Sequence, residues 1–315
     1  MVVITTNYAT KGGTRLNIAC VSSAANDLGE SPYWDIDAKR LYWIDAWRTQ
    51  VWALDPATGE TRCSELGMAL GGLPIGSIGR HAAGGMIAGV KGGFHHLDPE
   101  RCTARLIAAV EADRPATNRL NDGKCDRAGR FWCASVNTDH RTPTGALWRL
   151  EAASAPMLMQ DGFTVGNGIA WSADDRSMYL ADTFTRTVWR YDFDLGSGAL
   201  ANQRPFISTA HISGFVDGAT VDADGCYWAA LFRSGAVAQF DPDGRLVRHV
   251  RLPVSNPTMC VFGGPGLDVL YVTSASRFLD EAQLREQPLA GHVFAIEGLG
   301  VRGLPEPKFG ERFGA

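Results

Sequence analysis

Short apolar runs of four or five residues, each preceded by a polar and turn-rich stretch, recur along the whole chain. Arg119, Asn121, Asp122 and Lys124 crowd together, the turn Asp126-Arg127-Ala128-Gly129-Arg130 follows, and Phe131-Trp132-Cys133-Ala134 then reads as a strand. The same order returns with Glu30-Ser31-Pro32-Tyr33-Trp34 before Leu41-Tyr42-Trp43-Ile44-Asp45, and with Asn167-Gly168-Ile169-Ala170-Trp171 before Met178-Tyr179-Leu180-Ala181-Asp182. It returns again with Asp217-Gly218-Ala219-Thr220-Val221 before Tyr227-Trp228-Ala229-Ala230. Two looser copies, residues 74–78 before 86–89 and residues 256–260 before 270–273, bring the count to six. A period of roughly 40 to 50 residues is that of a four-stranded propeller blade.

Each copy supplies a third strand, such as Val51-Trp52-Ala53-Leu54 or Val188-Trp189-Arg190-Tyr191, then a turn rich in Asp, Pro or Gly and a fourth strand. The pattern predicts an all-β fold, a six-bladed β-propeller of four-stranded antiparallel blades forming one domain over residues 1–315. Residues 16–21 have no repeat of their own and are expected to close the ring as the outer strand of the last blade, which leaves few exposed sheet edges. The tail, residues 298–315, is too rich in Gly, Pro and charge to make a strand.

Charge and composition narrow the partners. A net charge of -4 with mixed signs provides no broad basic field, so neither nucleic acid nor an anionic membrane is expected. No apolar run approaches the ~20 residues of a membrane span. Residues 1–13 lack the charged start, apolar core and cleavage site of a secretory signal. Seven dispersed cysteines without a C-x-x-C pair suit reduced thiols and a cytoplasmic protein. Phosphate-loop, G-x-S-x-G and H-E-x-x-H motifs are absent. A monomer is the expected state.

In a propeller the first strand of every blade lines the central channel, so polar residues at its start meet on one face. By alignment these are Glu30, Asn121, Asn167, Asp217 and Asn256, with Pro74 in the second copy. A ring of carboxylate and amide oxygens suits a hard divalent cation such as Ca²⁺, Mg²⁺ or Mn²⁺. Loops at residues 47–50, 137–144, 183–185 and 274–289 belong to the same face and are expected to contact substrate. Taken singly, any of these polar residues also satisfies a strand-start turn. Asp126, Asp174 and Asp222 read as turn residues, Asp45 and Asp182 fit either role, and His140 and His211 are rim candidates. Strand Trp and Tyr residues read as packing between blades, Trp47 excepted.

LGESPYW (residues 28–34), RLNDGKCDRAGRFW (119–132), GNGIAWS (166–172) and VDG (216–218), in this order, resemble the SMP-30/gluconolactonase/LRE family. The resemblance runs from about residue 17 to residue 296. It implies a six-bladed propeller that opens a sugar lactone, one divalent metal ion (Ca²⁺, Zn²⁺, Mn²⁺, Mg²⁺ or Fe²⁺) held by Glu30, Asn167 and Asp217, and substrate contacts from Arg119 and Asn121. Asp217 is then the expected catalytic base. Two other readings use the same ring: hydrolysis of another ester or a phosphotriester, and calcium binding without catalysis.

Overall fold

The computed structural model describes residues 6–9 and 15–311. The expectation for residues 1–13 therefore falls almost wholly outside the described residues.

Six antiparallel sheets follow one another around a ring, each built from consecutive strands except the last. The inner strands are Gly29–Asp35, Ile75–Arg80, Asn118–Cys125, Gly166–Trp171, Phe215–Val221 and Pro257–Gly263. Apolar content falls from the axis outward: Gly166–Trp171 and Pro257–Gly263 are buried throughout, whereas the outer strands Glu60–Glu65 and Ala199–Ser208 are largely exposed. This gradient follows from geometry, since an inner strand is covered on both faces and an outer strand meets water.

The core lies between blades. Trp132 and Leu147 of the third sheet pack with Ile169, Met178 and Leu180 of the fourth. Trp34 of the first sheet stacks on Tyr271 of the sixth, with ring centroids 5.8 Å apart. Two of the predicted turn aspartates act as anchors: Asp126 accepts from the Trp132 indole at 2.8 Å and Asp222 from the Trp228 indole at 2.8 Å. Each carboxylate also caps its own turn, Asp126 through the amides of Ala128 and Arg130 and Asp222 through those of Asp224 and Cys226.

The ring closes through Arg15–Cys20, which pairs with Phe294–Glu297 of the last sheet as the fourth strand. That strand is not the outermost, because Thr6–Ala9 pairs with it and makes the last sheet five-stranded. The loop at residues 274–289 also departs from expectation by containing a helix, Glu281–Glu286, whose capping box uses Asp280 and Gln283. Among the described residues no helix is long and apolar enough to cross a membrane. All seven cysteines are free thiols.

Among the described residues of the tail, 298–311, there is no strand, yet the segment is far from idle. It crosses the face away from the cavity described below, joining the turn backbones of three blades through Ala82–Phe309, Gly129–Gly310 and Ala223–Arg302 hydrogen bonds. From it Glu306 enters the channel mouth and meets the Lys124 ammonium at 3.2 Å. Lys124 also donates to the Ala219 carbonyl at 3.2 Å. The channel is thereby stoppered at one end and open at the other.

Candidate functional site

All six inner strands carry a register shift against their neighbour, between Glu30 and Tyr33, Ile75 and Ser77, Leu120 and Gly123, Asn167 and Ala170, Val216 and Ala219, and Pro257 and Cys260. A bulge breaks the alternation of a strand and re-aims the side chain beside it. Repeated six times at one height, it turns several strand-start side chains toward the axis. Gly168 allows one of these bends with φ 59°, and a Cβ there would run into the Tyr227 hydroxyl.

The open end of the channel is a cavity of about 300 Å³ lined by Glu30, Arg119, Asn121, Asn167 and Asp217 at its polar floor. Its walls come from the loops, through Trp47, His140, Phe184, Arg233, Arg277 and Phe278, and from the strand ends Phe215 and Phe232. Of the five aligned oxygen donors, four converge. Asn256 does not line the cavity; it is buried and its amide donates to the Arg277 carbonyl at 3.4 Å, so it supports the loop above. His140 is at the rim, where it stacks with Phe184 at 5.7 Å, whereas His211 is exposed and outside the lining. Asp45 and Asp182 are structural: Asp45 accepts from the amides of Asp27, Leu28 and Arg48, and Asp182 from those of Thr164 and Val165.

A single polar relay spans the floor. Arg119 donates to Asn121 Oδ1 at 2.8 Å, and Asn121 Nδ2 donates to Asn167 Oδ1 at 2.7 Å. Asn167 Nδ2 in turn donates to the Thr183 hydroxyl at 2.8 Å, which donates to the Val216 carbonyl at 3.0 Å. Because Asn121 Nδ2 also reaches the Gly166 carbonyl at 3.1 Å, both amides have one orientation, with Asn167 Oδ1 keeping a lone pair for the cavity. Thr183 was legible only as part of a site-face loop. Its role in orienting Asn167 was not.

The electrostatics of the floor are those of crowded carboxylates. Burial raises the Glu30 carboxyl well above its ordinary value, and the nearby Asp217 and Asp122 raise it further. Asp217 is likewise raised by burial and then by Asp122, with Arg119 opposing. Asp122 itself is pushed up to about 6 by burial, although the Ile169 amide donates to it at 2.8 Å, and its Oδ1 is buried without a partner. Burial lowers the Arg119 pKa while Glu30 and Asp217 raise it. Close carboxylates with too few protein donors, plus an oriented amide oxygen, have the chemistry of an oxygen-ligand site for a divalent cation.

The class that fold and site define is a six-bladed propeller whose axial cavity draws its polar residues from separate blades. The chain belongs to the SMP-30/Gluconolactonase/LRE-like family, which it matches over residues 28–276. It is 32% identical to the regucalcin of Xenopus laevis over 93% of this chain and 98% of that one. It is 33% identical to a Pseudomonas putida protein named 6-deoxy-6-sulfogluconolactonase, again over 93% and 98%. Its fold superposes with a TM-score of 0.86 on a solved calcium-binding protein, regucalcin, from Agrobacterium tumefaciens, at 25% identity over 92% of this chain and 96% of the other.

Proposed function

We propose that this protein is a divalent-metal-dependent lactonase that opens a sugar lactone (an aldonolactone such as gluconolactone, galactonolactone, arabinonolactone or xylonolactone) to the aldonic acid. The observation that carries this reading is the convergence of Glu30, Asn167 and Asp217, from three blades, on one cavity that also holds Arg119 and Asn121. Kinship with sugar lactonases supports it.

Glu30, Asn167 and Asp217 would hold the cation. When bound, a divalent ion supplies Lewis-acid polarisation of the ester carbonyl. Asp217 accepts a proton from the attacking water, whose oxygen forms the new bond to the carbonyl carbon. The ring C–O bond then breaks and the departing ring oxygen takes the proton that Asp217 accepted, leaving a free hydroxyl and a carboxylic acid that releases its own proton to solvent as the carboxylate. Arg119 and Asn121 orient the sugar hydroxyls, and the aromatic walls limit water around the reacting ester. A deprotonated Asp217 is required, and a positive charge held beside a carboxylate favours that form.

The test is acid release, followed by pH-stat, from a panel of aldonolactones with chelator and with each of Ca²⁺, Zn²⁺, Mn²⁺, Mg²⁺ and Fe²⁺ restored in turn. Release should stop on chelation, return with metal and be absent from a folded Asp217→Asn variant. A rate no faster than spontaneous ring opening under every metal would sink the proposal, and an organophosphate included in the panel would expose a phosphotriesterase.

A further inference from the structure

The two residues that follow Asn167, Gly168 and Ile169, stand opposite Leu180 alone, because the strand ladder passes from the Asn167–Ala181 pair directly to the Ala170–Tyr179 pair. The peptide that joins them is therefore outside the ladder of its own sheet, and a buried peptide needs a partner for each of its polar groups. Both partners come from other blades. Tyr227 of the fifth blade donates its hydroxyl to the Gly168 carbonyl at 2.8 Å, and Asp122 of the third accepts from the Ile169 amide at 2.8 Å. One peptide unit, immediately after Asn167, is thus gripped at its oxygen by one neighbour and at its N–H by the other.

The grip holds a conformation that the strand would not keep by itself. Gly168 is left-handed, φ 59°, and a Cβ there would strike the Tyr227 hydroxyl, so the approach depends on glycine. Tyr227 is fully buried, and burial, followed by Asp122, pushes its hydroxyl pKa well above the ordinary value and keeps it a donor. Its ring is seated against Tyr179 and Phe206, with centroids 5.4 and 6.1 Å away, which fixes the direction of the hydroxyl. The first blade repeats the device behind Glu30. Ser31 follows in the bulge with φ 49°, and its hydroxyl accepts from the Ile78 amide of the second blade at 2.8 Å. Two residues read as cation ligands thus precede a left-handed residue tied to a neighbouring blade, a conformation that persists where the surroundings impose it.

Tyr227 does not line the cavity. We propose that it is a positioning residue for the cation site: with Asp122 it pins the Gly168–Ile169 peptide, and the pinned bulge aims Asn167 Oδ1 into the cavity. This rests on the reading of Asn167 as a cation ligand and adds the backbone to what orients it. The relay through Asn121 and Thr183 sets the rotation of the amide, whereas the Tyr227 bond sets the place from which the side chain departs.

Metal affinity tests this without turnover. In competition with a chromophoric chelator, whichever of Ca²⁺, Zn²⁺, Mn²⁺ and Mg²⁺ binds the wild type most tightly should bind Tyr227→Phe about tenfold more weakly. Phenylalanine keeps the ring and its packing. Tyr33→Phe is the matched control, since it too loses a buried hydroxyl that donates to a backbone carbonyl, that of Glu306 at 3.2 Å, at the stoppered end of the channel. Its affinity should stay within about twofold of wild type. In an Asn167→Ala background, Tyr227→Phe should change affinity by less than about twofold, because the hydroxyl acts through Asn167. Unchanged affinity in Tyr227→Phe, an equal loss in Tyr33→Phe, or an undiminished loss in the Asn167→Ala background overturns the proposal. The expected loss of affinity with no lactone opened by the wild type would leave the clamp standing and remove the lactonase reading. Lactone opening with unchanged affinity in Tyr227→Phe would do the reverse, and a wild type that binds none of the four ions would remove both.

Discussion

Asn121 donates its amide hydrogen to Asn167 Oδ1 at 2.7 Å, so a residue expected to touch substrate also orients one expected to touch metal. Outer partners of this kind fix the direction of a ligand's lone pair, and their loss costs metal sites about 10- to 100-fold in affinity. Asn121→Ala should therefore weaken metal binding at least tenfold as well as raising KM. Thr183→Val, which removes the hydroxyl at the other end of the same amide, should weaken metal binding in the same direction with a smaller effect on KM. Equilibrium titration with a competing chelator measures both. Unchanged metal affinity in Asn121→Ala would restrict that residue to the substrate.

Asp122 gives the fold a built-in pH dependence. Its pKa is pushed from an ordinary 3.8 up to about 6, chiefly by burial, so its charged form is disfavoured in the folded chain. For a carboxyl raised on folding, the stabilising contribution is complete below the unfolded value and is lost as pH rises through the folded one. Chelator-treated wild type should accordingly lose stability, relative to Asp122→Asn, between about pH 4 and pH 7. The difference should reach on the order of 2 kcal/mol. Urea denaturation of both proteins across that range measures it, and a flat difference would mean that Asp122 is neutralised by the nearby Lys124.

Trp47 has a guanidinium near each of two neighbours in the cavity, Arg119 at 5.5 Å and Arg277 at 4.6 Å from its ring centroid. Cation–π contacts are worth roughly 0.5 to 2 kcal/mol each, enough to hold the residue 277 loop over the cavity and Arg119 in its floor. Trp47→Ala should raise KM about tenfold while kcat falls by less than about threefold, because the proposed cation ligands are left in place. Trp47→Phe should recover most of the loss. A fall confined to kcat would instead tie Trp47 to the reacting ester.

Much of this architecture was legible because a polar start, a turn and a short apolar strand repeat six times, two of them loosely, and a closed ring converts alignment into shared height along an axis. Glu30, Asn121, Asn167 and Asp217 meet for that reason. Alignment alone missed the direction of each side chain, which the six bulges decide: Asn256 stands at an aligned strand start but turns its amide to the Arg277 carbonyl. It also missed loop residues that border the cavity. Arg233 belongs to a loop between second and third strands, the counterpart of the loop carrying Trp47, and that correspondence was the available signal. The outer strand Thr6–Ala9, the helix Glu281–Glu286 and the tail contacts depend on segments outside the repeat.

The tail contact yields the last expectation. Lys124 and Glu306 pair at 3.2 Å with side chains only 10% and 9% exposed, at the stoppered end of the channel. Removing one member of such a pair leaves a nearly buried charge without its partner, which costs about 3 to 5 kcal/mol, whereas replacing both with apolar residues of similar shape is far less costly. Glu306→Gln should destabilise the protein by about 2 kcal/mol or more, since the glutamine keeps the shape but not the charge. Lys124→Met should cost a similar amount, leaving the Ala219 carbonyl without its ammonium donor. The double variant Lys124→Met, Glu306→Leu should be more stable than the sum of the single losses predicts, by on the order of 2 kcal/mol, in a double-mutant cycle measured by chemical denaturation. Strict additivity would show that the tail is held by its backbone bonds to the three turns, with the ion pair contributing nothing of its own.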